Sequence, residues 1–200
     1  GAKKVYAVEW SKEAFEQASK QVARLGLQEQ IILIHGNALE VDIPEKVDFY
    51  ISEQIGDIGS AEGAISLNNH ALKYIDQKEQ VIPQQCITQL AAVQIEPHET
   101  IDAFNEVPAA YAKKIFDHVG NEFDLRVLLK NLNEDHLISD TAAMEVLDFT
   151  APIKEEDTTT LELNIQKDGY ITGFSCWVQL YVDDQHMVDS LKDTCNWLPV

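Results

Sequence analysis

Apolar positions change their spacing along this chain, and each change marks a predicted element. "KKVYAVE" near the start reads as a strand, since apolar residues dominate it. Ser11 then stands as an N-cap before a helical pattern at Ala14, Phe15, Ala18, Val22 and Leu25, and Gly26 supplies the stop. "IILIHG" (31–36) and "VDFYIS" (47–52) follow as buried-strand runs, and a second helical stretch covers about 62–76. This strand–helix–strand rhythm predicts a doubly wound α/β sheet.

After "VIPQQ" the period shortens to two. "CITQLAAVQIE", "TTLELNIQ", "GYITGF" and "CWVQLYVD" read as antiparallel strands separated by Gly, Pro and acidic turns. Between them, 109–140 contains "AAYAKKIFDHV" and "FDLRVLLKNL", both helical in pattern. The boundary falls near Val81–Gln84. The expected fold is α/β followed by β. A partial Rossmann-like sheet over 1–82 precedes a partial antiparallel, barrel-like unit over 83–200, with a helical insertion at about 109–140. "KKVYAVE" reads as the second strand of such a sheet, because an acid of the ribose-binding type, Glu9, already ends it and no GxGxG precedes it. A sheet without its middle strand leaves backbone groups unpaired, so the chain is expected to be a piece of a longer protein. The block from Gly173 likewise ends before a barrel would close.

Composition narrows the partners. The chain has 200 residues, 45% of them hydrophobic, without an apolar run of membrane-spanning length. Its 34 acidic against 15 basic residues give a net charge of −19, which argues against nucleic acid; such a surface attracts cationic ligands such as basic peptides, though charge alone points no further than ordinary solubility. Cys86, Cys176 and Cys195 are scattered without metal-binding or disulfide spacing, as suits a reducing cytoplasm. His35, His70, His98, His118, His136 and His186 show no metal-ligand spacing either, so no metal is expected.

Three places carry candidate chemistry. Glu9 ends a strand where an acid in nucleotide-binding α/β folds accepts from ribose hydroxyls. Asn37 and the Ala38 backbone follow the next strand, where such folds touch adenine. "YISEQIGDIGSAE" (50–62) sets Glu53 and Glu62 on one loop with Gly56 and Gly59, directly after a strand. With acids this frequent, two of them nine apart mean little alone. Strand, glutamate, glycine at plus three and glutamate at plus nine form a more specific pattern.

That arrangement resembles the double-E hairpin of the protein arginine methyltransferases. "GAKKVYAVEWS", "VDFYISE", "VIPQQCITQLAAVQIEP", "FDHVGNEFDL", "HLISDTAAMEVLDF", "QKDGYITGFSCWVQLYVD" and "TCNWLPV" are similar, in order, to successive segments of that family. The resemblance implies transfer of a methyl group from S-adenosylmethionine to an arginine guanidinium in a basic protein or peptide. It implies that Glu53 and Glu62 grip the guanidinium, Glu9 the ribose, and Asn37 with Ala38 the adenine. Asn196 and Trp197 would line the substrate side, and the 110–140 segment would be a dimerisation arm, making a homodimer. The chain departs from the family where Thr-His-Trp is common and Cys195-Asn196-Trp197 stands, where a glutamate is common and Leu39 stands, and at Asp57, which adds a third acid to the loop. Two alternatives remain: a non-catalytic relative serving as a binding or assembly module, and a methyltransferase acting on a small guanidino or amino compound.

Overall fold

The computed structural model describes residues 1–76, 80–96, 106–120, 126 and 128–200. Strand β1 (Val5–Glu9) and strand β2 (Ile31–His35) pair in parallel, from Val5 opposite Ile31 to Glu9 opposite His35. Parallel neighbours need a crossover. Helix α1 (Lys12–Arg24) provides it, starting where the Ala14 amide donates to the Ser11 hydroxyl and stopping at Gly26, whose φ of +67° suits only glycine comfortably.

A second parallel pair joins strand β3 (Tyr50–Ile51) to strand β4 (Val81–Ile82). Helix α2 (Ala64–Ala71) and a 3-10 turn (Leu72–Tyr74) run between them, with an added bridge from Val47 to Ile75. The continuous doubly wound sheet expected from the periodicity is thus two separate ladders among the described residues. Among the described residues the apolar run 47–52 pairs at Val47, Tyr50 and Ile51, and the Ser52 amide donates to the Ile82 carbonyl at 3.0 Å; its hydrogen-bonded neighbours come from β4 and the residue after the 3-10 turn.

The second part is a four-stranded antiparallel sheet of strands β5 (Gln85–Val93), β6 (Ala142–Asp148), β7 (Gly173–Tyr181) and β8 (Met187–Asp189), in the order β6-β5-β7-β8. A register shift between Thr88 and Gln89 interrupts the β5–β6 ladder. The sheet is open among the described residues, so the barrel-like expectation is corrected to an open sheet. Among the described residues "TTLELNIQ" forms no strand and makes the isolated Ile165–Ser139 bridge. Asn164 ties that segment to the chain near 140 instead, donating through backbone and side chain to the Asp140 carboxylate, each at 2.8 Å. "GYITGF" becomes strand only from Gly173. Helix α3 (Glu106–Val119) matches the first half of the predicted insertion. The second predicted helix is not seen at 126 or 128–132; 121–125 and 127, like His98, lie outside the described residues.

One core joins the two parts. Ile55, Ala64, Ile75 and Val81 pack with Cys86, Leu147, Phe149, Val178 and Leu180, all buried. A smaller cluster of Ala91, Leu132, Trp177 and Leu191 lies against the other face of the antiparallel sheet. The loop after β3 enters the larger core at Ile55, and this places it between the two parts.

Candidate functional site

The stretch from Ser52 to Gly63 is a loop held at three points. Ile55 is 5% exposed and anchors its first limb. At Gly56 the limbs close: a Cβ there would stand 3.0 Å from the Ala61 Cβ and 3.4 Å from the Glu62 Cγ. The tip at Gly59 lies flat on the antiparallel sheet, where a Cβ would meet the Cys86 Sγ at 2.8 Å and the Thr88 Oγ1 at 3.2 Å. Both glycines therefore serve close approach.

Polar tethers reinforce this seat from two sides. On one side, the Gly59 amide donates to Thr88 Oγ1 at 3.0 Å, and the Thr88 hydroxyl donates to Glu145 Oε2 at 2.7 Å. The Ser60 hydroxyl also donates to Glu145, and its amide does so at 3.4 Å. On the other side, the Trp197 indole donates to the Ile55 carbonyl at 2.7 Å, and the Leu198 amide to Asp57 Oδ1 at 2.7 Å. Asp57, the third acid of the loop, is thus bound through Oδ1 to the C-terminal segment. Sequence reasoning also missed Glu145, Thr88 and Ser60. The available signal was alternation: Thr88 and Glu145 occupy the face of β5 and β6 that otherwise carries Cys86 and Leu147, and a polar pair on a core face needs partners.

Glu53 and Glu62, by contrast, are exposed, and neither carboxylate has a partner among the described residues. A cleft lined by Tyr50, Ser52, Gln54, Ile55, Ala64 and Asn68, among others, begins next to both ends of the loop. Burial raises the Tyr50 pKa, so its hydroxyl stays neutral across the physiological range. Asn68 is 2% exposed, donates to the Ala151 carbonyl, and leaves Oδ1 as an unused acceptor among the described residues.

The candidate cofactor residues gather at the C-terminal ends of β1 and β2, where open α/β sheets bind ligands. The Gly36 amide donates to the Glu9 carbonyl at 3.0 Å, bringing the turn with Asn37 and Ala38 beside Glu9. The Glu9 carboxylate takes the Ser11 amide at 2.6 Å through Oε1, leaving Oε2 for another donor. Asn37 is partly engaged locally: Oδ1 accepts from the Leu39 amide at 3.0 Å and one Nδ2 hydrogen goes to Glu40 at 3.2 Å. Trp197 is partly buried against the larger core, whereas Asn196 is exposed.

Cys86 borders the loop without being a nucleophile. It is 0% exposed, and burial, with the Glu145 charge adding to it, pushes its thiol up to about 12. Thiol labelling at pH 8 followed by peptide mass spectrometry is expected to modify the partly exposed Cys195 readily and Cys86 only on unfolding. Comparable labelling rates for the two would contradict the packing described.

Comparisons with known proteins point one way. No protein-family model matches the chain. The Anopheles gambiae "Histone-arginine methyltransferase CARMER" is 36% identical over 85 residues, which is 42% of this chain and 14% of that protein. The Drosophila ananassae protein of the same name is 36% identical over 83 residues, 42% of this chain and 15% of the relative. The matched segment is therefore a small part of either relative. In fold, the whole chain superposes on Arabidopsis thaliana protein arginine methyltransferase 10 with a TM-score of 0.72 at 19% identity, covering 67% of that chain. It also superposes on a Trypanosoma brucei PRMT1 enzyme–prozyme heterotetrameric complex with AdoHcy, at a TM-score of 0.73, 19% identity and 65% coverage of that chain. The resemblance to protein arginine methyltransferases drawn from the glutamate loop and its flanking segments is thus supported in sequence and in fold.

Proposed function

Because the chain resembles protein arginine methyltransferases in both sequence and fold, we propose that it contributes the guanidinium-holding loop of an S-adenosylmethionine-dependent arginine methyltransferase. One observation carries this reading. The loop with Glu53 and Glu62 is pinned to both parts of the molecule, yet leaves the two carboxylates unpartnered. A guanidinium is planar, always charged, and offers a fork of N–H donors that matches a carboxylate. Two carboxylates can hold it, draw its charge from one terminal nitrogen, and receive the proton that this nitrogen sheds. Catalysis would then rest on alignment and electrostatics, without a covalent enzyme intermediate.

The cofactor residues fit their proposed roles with one revision. Glu9 keeps Oε2 for a ribose hydroxyl. Asn37 keeps one amide hydrogen beyond its own turn, so the adenine contact rests mainly on the Ala38 backbone. When bound, S-adenosylmethionine would supply an activated methyl group on a sulfonium. Trp197 would act by fixing Ile55, and exposed Asn196 would face the substrate side. The substrate proposed is an arginine-rich basic peptide, consistent with the net charge of −19. We place the division between cofactor and substrate units at 82/83 and the protein in the cytoplasm, where its free thiols stay reduced. Tyr111, Ile115 and Val119, exposed at intervals of four along α3, support association through this helix as a homodimer.

A second reading, a non-catalytic partner retaining the fold, is favoured by the local use of Glu9 and Asn37 and by Asn196, an amide that cannot relay a proton. The solved Trypanosoma brucei complex pairs an enzyme with a prozyme. Calorimetry with S-adenosylmethionine separates the two. The enzyme reading expects saturable binding and methyl transfer to an arginine-rich peptide; no detectable cofactor binding would leave the assembly module.

A further inference from the structure

We propose that Glu145 is a positioning residue for the glutamate loop, an inference that rests on the guanidinium reading above. Glu145 lies on β6, far in sequence from the loop, and among the described residues forms no hydrogen bond with Glu53 or Glu62. Its two oxygens nevertheless collect the loop tip. Oε1 accepts from the Ser60 hydroxyl; Oε2 accepts from the Thr88 hydroxyl at 2.7 Å and from the Ser60 amide at 3.4 Å. Thr88, 0% exposed, passes the restraint on by accepting from the Gly59 amide at 3.0 Å. Thr88 can satisfy Gly59 because its own proton is committed to Glu145, which fixes the direction of the chain Gly59 to Thr88 to Glu145.

The charge on Glu145 matters for this role. Hydrogen bonds to an ionised acceptor are shorter and stronger than neutral ones. A carboxylate can also accept all three donors at once, whereas a glutamine in its place would bring two donors of its own and compete for the same hydroxyl oxygens. Glu145 thus clamps the stretch that separates Glu53 from Glu62. Gly56 lies close to Ala61 and the Glu62 Cγ, so the limb that carries Glu62 closes on the limb that follows Glu53.

Glu145→Ala, Glu145→Gln and Ser60→Ala are compared with wild type by three measurements: methylguanidinium binding by calorimetry, S-adenosylmethionine binding by calorimetry, and amide hydrogen exchange at Gly59 and Ser60. Positioning predicts that Glu145→Ala weakens methylguanidinium binding by about tenfold to a hundredfold, in the range that misplacement of a binding group costs. Cofactor affinity is expected to stay put, Gly59 and Ser60 to exchange faster, and Glu145→Gln and Ser60→Ala to fall in between. In a Glu53→Gln/Glu62→Gln background, Glu145→Ala should change methylguanidinium affinity no further. Exchange that accelerates evenly across the core, with both affinities falling together, would mean a merely structural role and overturn the proposal. So would unchanged exchange at Gly59 in both Glu145 variants. If wild type binds no methylguanidinium, the guanidinium reading falls, and with it the role assigned to Glu145, even where exchange shows that the tether holds the tip.

Discussion

Glu53→Gln and Glu62→Gln are each expected to lower methyl transfer to an arginine-rich peptide on the order of a hundredfold or more, with the thermal midpoint unchanged within error. The size follows from what the substitution removes. Glutamine keeps the shape of glutamate but loses the charge, and with it one ionic, two-pronged grip on a guanidinium. Stability should not follow, because both side chains are exposed and their carboxylates have no partner among the described residues. The two variants should also fail together: removing the second carboxylate after the first is expected to cost less than its single effect, since both act on one group. Steady-state transfer with labelled S-adenosylmethionine, read beside a melting curve, checks all three points. Near wild-type turnover in both single variants would remove the basis for the pairing.

Much of this arrangement could be read from the residues in order. Ser11 and Gly26 bound α1 because a hydroxyl cap and a left-handed stop are local chemistry, set by a few neighbours. The pairing of β1 with β2, and the alternating faces of β5 and β7, followed from apolar spacing for the same reason. What failed to show was the pairing of the segments farther along the chain. "TTLELNIQ" alternates well enough for a strand, yet Asn164 and Ile165 are drawn to Asp140 and Ser139 instead of to a sheet edge. The loop was legible as two glutamates and two glycines, while its fastenings were not. Asp57 looks like surplus charge until the Leu198 amide arrives from 141 positions away. Glu145 looks like an ordinary acid until its strand pairs with β5 and sets it opposite Thr88.

The second large effect is expected at Gly59, and its cause is room and not backbone freedom. Only Gly26, Gly63 and Gly120 have positive φ among the described residues; Gly59 has a backbone that alanine can adopt. An alanine Cβ there would nevertheless stand 2.8 Å from the Cys86 Sγ, 3.2 Å from the Thr88 Oγ1 and 3.3 Å from the Leu147 Cδ1. None of these can retreat easily. Cys86 and Thr88 are both 0% exposed on an inner strand of the sheet, and Leu147 belongs to the same packed cluster as Cys86. Overpacking of this kind costs about 1–3 kcal/mol. If the loop lifts to escape, the amide bonds to Thr88 and Glu145 break as well. Gly59→Ala should therefore lower the denaturation midpoint and also loosen guanidinium binding, because the tip carries the restraint between Glu53 and Glu62. Gly63→Ala provides the contrast. Its φ of +78° would strain an alanine, but the space around it is open, so a loss of about 1 kcal/mol without crowding is expected. Replacing Cys86 by alanine removes the atom nearest the new methyl group. The double variant Gly59→Ala/Cys86→Ala should accordingly be more stable than the two single losses added together, whereas Gly63→Ala/Cys86→Ala should be additive. Equal stability of Gly59→Ala and wild type in urea would show that the tip does not rest on the sheet.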